Sequence, residues 1–468
     1  MRPVLLVDVV GLTTRMLGAE TPALSELAAS GASAPMDSVL PAVTCSAQAT
    51  MLTGAMPAQH GAVGNGWLDR ESGEIAFWRQ SNALVAGRKL YERARELDPS
   101  FTCAKIFWWW NLGAAVDWSI TPRPFYPADG RKIPAVYGWP RSYAADLEHE
   151  LGPFPFFDFW GPRSGLASSR WIADAAIRTL ETRRPTLTLA YLPHLDYSHQ
   201  RWGPNDPRSR EAVREVDAVF RDLREAARRL DVEVVVVSEY GLEEVDTPVH
   251  VNRALRREGL LVARATPAGE LLDTFASDAF AVADHQLAHV YARTPDALQH
   301  ASLVLRNLPG VEGVLAHREL RKFGLDHPRS GDLVAIAAPR SWFTYYYWLD
   351  DDRAPDFART VDIHRKPGYD PCELFLDPAI RLPRLKVARR LTRKALGMRY
   401  LMDVIPLDAA LVRGSHGRLP ADPLDGPVFL CSRPFGECGP APPRGVLSMT
   451  SVCERVLELL ASTPRAAG

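Results

Sequence analysis

The sequence predicts an α/β fold built around a largely parallel sheet, and three observations predict it. Short β-branched, apolar runs at Pro3 to Val7, Leu187 to Leu192 and Val232 to Val237 read as fully buried strands. Helical patterns separate them at Thr21 to Ser30, Ser169 to Arg183 and Arg208 to Leu230, the last with apolar residues at three- and four-residue steps among many charges. Each strand is followed closely by a carboxylate: Asp8, Asp196 and Glu239. In a parallel sheet those strand ends converge on one edge, where open α/β folds place their ligands.

Taken in order, residues 1–70 supply the first strand and a short helix from about Cys45 to Leu52, stopped by Gly54. Residues 71–165 change texture. They are rich in Trp, Phe, Pro and Gly, as in Phe107-Trp108-Trp109-Trp110, and read either as a cap-like insertion lining a pocket or as an irregular packed excursion. Residues 166–255 return to the core. Residues 256–330 read as a small inserted α/β subdomain, with strands Ala279 to Ala283, His289 to Ala292 and Val311 to Ala316 around a helix Ala297 to Leu308. Residues 331–468 return again to the core through a strand at Asp332 to Ala337 and the aromatic run Trp342 to Trp348. The basic segment Arg384 to Arg399 reads as a solvated helix face.

The chain has 468 residues, 46% of them apolar, and a formal net charge of −1, which is ample for a large core and gives no basic field for a nucleic-acid polymer. Six cysteines are scattered without metal-ligand spacing. No apolar stretch approaches the roughly 20 residues of a membrane span, and the N-terminal run is too short for a signal peptide, so a cytoplasmic location without membrane partners is expected. Composition gives no oligomeric state.

Three carboxylates on one sheet edge repel one another unless protons or cations intervene. Metal ions are the economical solution, because carboxylates and imidazoles together suit zinc, manganese or iron. For any single Asp after a strand, a turn or helix-cap role is the ordinary alternative. Thr44 opens the Cys45 to Leu52 helix and is by position an N-cap. The same geometry serves catalysis, since a helix N-terminus seats a phosphate and a metal on the Thr oxygen makes it nucleophilic.

The segment Pro41-Ala-Val-Thr-Cys-Ser-Ala-Gln-Ala-Thr-Met-Leu-Thr-Gly54, followed by His60-Gly-Ala-Val-Gly-Asn65, resembles the nucleophile segment of nucleotide pyrophosphatase/phosphodiesterases, members of the alkaline phosphatase superfamily. Asp196-Tyr-Ser-His-Gln-Arg-Trp-Gly-Pro204, Ser238-Glu-Tyr-Gly-Leu242 and Gly414-Ser-His-Gly417 resemble three further motifs of that family, in its order. The resemblance implies a three-layer α/β sandwich with a central mostly parallel sheet plus cap insertions. It implies Thr44 as nucleophile, Asn65 on the non-bridging phosphate oxygens, and two divalent cations, zinc with manganese or iron as alternatives. Their ligands would be Asp8, Thr44, Asp196, Glu239 and His416. The substrate implied is a small phosphodiester or pyrophosphate, nucleotide-like among the candidates.

The sequence departs from the family at two imidazole positions, now Gln200 and Tyr240, and at one carboxylate, Glu239, which is a methylene longer. Gln200 can offer a carbonyl oxygen and Tyr240 a phenol, or His199, His250, His285 or His364 fill in. Competing readings are a phosphomonoesterase or phosphomutase-like member, with Arg365 or Lys366 supplying charge, and a non-catalytic binding homologue with a degenerate metal site. A sulfatase-like member is discounted, because Cys45-Ser-Ala-Gln-Ala lacks the required Pro and Arg.

Overall fold

The computed structural model describes residues 1–128 and 132–462. In chain order the strands used below are β1 (Val4–Val9), β2 (Ala32–Asp37), β3 (Cys103–Ile106), β4 (Trp118–Pro122), β5 (Val136–Trp139), β6 (Leu187–Leu192), β7 (Glu233–Val237), β8 (Ala279–Asp284), β9 (Leu287–Ala292), β10 (Val311–Ala316), β11 (Leu333–Ala337), β12 (Val428–Cys431) and β13 (Leu447–Ser448). The helices are α1 (Pro22–Ser30), α2 (Thr44–Thr53), α3 (Leu90–Leu97), α4 (Leu166–Arg183), α5 (His194–Trp202), α6 (Pro207–Arg229), α7 (Pro295–Arg306) and α8 (Val452–Ala461).

The central sheet has nine strands in the order β13-β2-β12-β7-β1-β6-β3-β4-β5. Five consecutive strands, β7-β1-β6-β3-β4, are all parallel, while β12 and β5 join antiparallel. Alternation along β1 sends Leu5, Val7 and Val9 to one core and Val4 and Leu6 to the other. The first core is closed by α1, α4 and α6, the second by α2, α3 and α8, which makes the expected three-layer sandwich. Helix α6 begins where Asp206 accepts from the Arg208 N–H, with Pro207 in the first turn, and lays Val216, Val219, Phe220 and Leu223 on the sheet.

A second, antiparallel sheet, β8-β9-β11-β10, packs with α7 around its own core, which also takes up Trp342, Phe343 and Tyr345 to Trp348. It closes with β11, so this unit runs past residue 330. The cap expected over 71–165 is corrected: this stretch contributes β3, β4 and β5 to the central sheet, and only its connecting turns reach the site. Those strands are short and interrupted by Trp, Pro and Gly, which hid their alternation.

Candidate active site

Asp8 lies in register with Tyr191 of β6 and Val237 of β7, so the carboxyl ends of the three strands open on one edge. Asp196 comes from the first turn of α5, Glu239 from the turn after β7, and Thr44 from the start of α2. All four are buried.

Thr44 does not cap its helix. Val43 precedes α2 in extended conformation, and the Thr44 hydroxyl donates to Glu239 Oε2 at 2.8 Å, with the Tyr240 hydroxyl 3.3 Å away. The helix is capped by Asn65, whose Oδ1 accepts from the Cys45 N–H at 3.0 Å. Asp284 grips Asn65 in turn, accepting from its backbone N–H at 2.8 Å and its Nδ2 at 3.1 Å. Asn65 thus stands beside the nucleophile with its carbonyl committed to the helix and an amide hydrogen to Asp284.

Gln48 lies one turn along α2 from Thr44. Its Oε1 accepts from the Trp109 backbone N–H at 2.6 Å, and that fixes which way the amide points. Nε2 therefore donates to Glu239 Oε1 at 2.7 Å and to Asp8 Oδ2 at 3.1 Å. On the other side of the site Gln200 Nε2 donates to Asp196 Oδ2 at 2.6 Å, and its Oε1 accepts from the Tyr369 hydroxyl at 2.9 Å. Asp196, four residues earlier on the same helix face, takes an amide hydrogen of Gln200 and turns its oxygen to Tyr369.

His416 Nδ1 is 2.7 Å from the Ala42 carbonyl, which only accepts, so Nδ1 carries the ring hydrogen and Nε2 presents a lone pair. That nitrogen faces Asp196 Oδ1 at 3.8 Å, and neither atom has a hydrogen-bond partner. The His416 ring is stacked between Tyr240, at 3.5 Å and 8°, and His285, at 3.6 Å; His285 also stacks on Tyr369 at 3.7 Å.

Burial governs protonation here. It pushes Glu239 up to about 7 and Asp196 up to about 8, and raises Asp8, where the Glu239 charge adds to the effect. It pushes His416 down to about 3 and His285 well below its ordinary value, so both imidazoles are neutral.

Of the four histidines expected to fill in, only His285 reaches the site. His199 is buried on α5 beside His194, with both ring nitrogens unpartnered, and does not line the cavity. His250 bonds Thr344 at 2.7 Å and stacks on Tyr346 in the second unit. His364 is exposed beside Tyr126. A cavity of about 60 Å³ opens over Thr44, walled by Trp78, Trp109, Trp160, Tyr197 and Tyr369, and no described lysine or arginine lines it. Arg365 pairs with Asp362, and Lys366 is buried between Asp370 and Glu373 at 2.7 Å from each. Sequence reasoning missed Gln48, Asp284 and Tyr369 as site residues. Only Gln48 carried a signal, its four-residue spacing from Thr44.

The fold, with this strand-end cluster around a helix-borne threonine, is an alkaline-phosphatase-like α/β scaffold. The chain belongs to the type I phosphodiesterase / nucleotide pyrophosphatase family, whose profile matches residues 4–370. An uncharacterized pyrophosphatase/phosphodiesterase of Schizosaccharomyces pombe is 25% identical over 212 residues, which is 43% of this chain and only 36% of that protein. Phosphonoacetate hydrolase from Sinorhizobium meliloti 1021, solved with phosphonoformate, superposes with a TM-score of 0.62 at 16% identity, covering 98% of this chain and 96% of that one. Human ectonucleotide pyrophosphatase / phosphodiesterase 5 superposes with a TM-score of 0.58 at 13% identity, covering 100% and 97%. No helix among the described residues is long and apolar enough to cross a membrane.

Members of the family typically work with two metal ions. The residues present fit one position better than the other. Asp196 Oδ1 and His416 Nε2 are opposed, buried and partnerless, which is what a shared cation requires. Around Asp8, Thr44 and Glu239 the amide of Gln48 and the hydroxyl of Thr44 already occupy Asp8 Oδ2 and both Glu239 oxygens, leaving Asp8 Oδ1 buried without a partner. Among the described residues, no three His, Cys, Asp or Glu side chains converge to hold an ion.

Proposed function

We propose that the chain hydrolyses a phosphodiester or pyrophosphate bond in a small phosphorylated molecule, nucleotide-like among the candidates, through a phospho-threonine at Thr44. The observation that carries this reading is the Thr44 hydroxyl, hydrogen-bonded to Glu239 on the floor of the aromatic cavity. Thr44 Oγ1 attacks phosphorus in line while Glu239 Oε2 receives its proton, and the leaving oxygen departs on the opposite side. Water then cleaves the new P–O bond, and Thr44 recovers a proton. A divalent cation held by Asp196 and His416, zinc or alternatively manganese or iron, supplies charge neutralisation at a phosphoryl oxygen when bound. Tyr240 offers a hydroxyl beside the nucleophile, and Asn65 holds the start of α2 in register. Among the described residues no cationic side chain lines the cavity, which favours a diester over a monoester, and Arg365 and Lys366 are paired elsewhere. The cytoplasmic location read from the sequence remains part of this proposal.

Turnover of nitrophenyl phosphate mono- and diesters by wild type and Thr44→Ala tests it. The diester should be the better substrate, and Thr44→Ala should lose about 10³-fold or more in kcat with its melting temperature unchanged. Wild-type rates in Thr44→Ala, or a clear monoester preference, would overturn it.

A further inference from the structure

We infer that this chain is built to hold one divalent cation, between Asp196 and His416, and that neutral hydrogen-bond donors have taken the place of a second beside the nucleophile. This rests on the Thr44 cluster being the active site.

The seat for the one ion is prepared. His416 Nε2 and Asp196 Oδ1 face each other at 3.8 Å, and both are buried and partnerless. Two ligands each about 2 Å from a common ion stand about 3 to 4 Å apart, so the pair accepts a cation with little movement. Each ligand is also oriented from behind, His416 by the Ala42 carbonyl and Asp196 by the Gln200 amide. The other position is occupied at three of its four carboxylate oxygens, with Asp8 Oδ1 alone buried and partnerless. Gln48 Nε2 sits between Asp8 and Glu239 and cannot rotate away without stranding the buried Trp109 N–H, which its Oε1 accepts. The second Glu239 oxygen accepts from Thr44. The Tyr240 hydroxyl is held next to them because its ring is stacked flat on His416. A cation between Asp8 and Glu239 would have to displace a donor locked by the backbone.

The full-length protein, stripped with chelator, loaded with excess Mn²⁺ and desalted, is assayed by elemental analysis and electron paramagnetic resonance. Wild type should retain about one equivalent per chain, with the spectrum of an isolated ion. His416→Ala should lose it and Asp8→Asn should keep it, with melting curves confirming that both are folded. If His416→Ala fails to fold, Asp196→Asn replaces it with the same expectation. Two equivalents, an exchange-coupled spectrum, no retained Mn²⁺, or loss in Asp8→Asn with retention in His416→Ala would each overturn the inference. One equivalent in a protein inert on every phosphoester supports it while removing the proposed activity, so the two readings fail separately.

Discussion

Lys105 shows how a residue outside the cluster shapes it. It is fully buried on β3, donates to the Trp110 carbonyl at 2.8 Å and faces the Tyr91 ring at 5.2 Å. It thereby pins a turn in which Phe107 and Trp110 both have positive φ, and that turn delivers the Trp109 N–H that orients Gln48. Burial pushes Lys105 down to about 7. The unfolded chain, with an ordinary lysine value near 10.5, binds a proton between pH 7 and 10.5 that the folded chain does not, so this contribution to stability grows as pH rises through that window and is lost as pH falls through 7. Wild type should therefore gain on Lys105→Met by about 3–4 kcal/mol from pH 7 to pH 10. Melting both at neutral and alkaline pH checks this, and a gap that is flat or narrows toward alkaline pH would contradict it. The same scale shows what a sequence can carry. Thr44, Asp8, Asp196, Glu239 and His416 stand beside apolar runs or in short ordered motifs, so their convergence could be read. Asp284 could not, because its role exists only once a hairpin 219 residues away reaches Asn65.

Elements were legible in proportion to their length and periodicity. Leu187–Leu192 and Val311–Ala316 lie where their β-branched runs place them, and the long helices start within a few residues of expectation. The strands β3 to β5 were not legible, being four or five residues each in an aromatic-rich stretch. In the sequence Arg365 and Lys366, in the loop over 360–375, are candidates to supply charge to a phosphomonoester. Lys366 is instead a buried staple between Asp370 and Glu373, and Glu373 also accepts from Trp160 Nε1 at 2.5 Å and from the Asp362 N–H at 3.0 Å. That one ammonium supplies the opposite charge to both carboxylates. Lys366→Met leaves them buried with their charge uncompensated, at a cost of about 3–5 kcal/mol. Tyr369 and Trp160, both in the cavity wall, are tied to this loop, so KM should rise as stability falls. Denaturant unfolding alongside steady-state kinetics tests this, and a shift below about 1 kcal/mol would show that the staple is dispensable.

At the scale of the molecule the site belongs to two cores. The central sandwich supplies Asp8, Thr44, Asp196 and Glu239, while the hairpin between β8 and β9 brings in Asp284 and His285 from the second sheet. The hairpin is docked by backbone bonds, Gln286 N–H to the His416 carbonyl at 2.8 Å and Phe343 N–H to the His285 carbonyl at 2.7 Å. Through Asp284 it fixes Asn65, and through Asn65 the first turn of the helix that carries Thr44. This is a relay in series: losing either member frees the same helix start. Asp284→Ala should therefore lower kcat by about 10- to 100-fold, because a small displacement of the nucleophile is enough to do so. Stability should fall by about 1–3 kcal/mol for the stranded Asn65 amide. Asn65→Ala should do comparable damage to kcat, and the double variant should be little worse than either single one, a strongly non-additive cycle. If the two losses in kcat simply multiply, Asp284 and Asn65 act independently, and the second unit contributes only packing to the reaction.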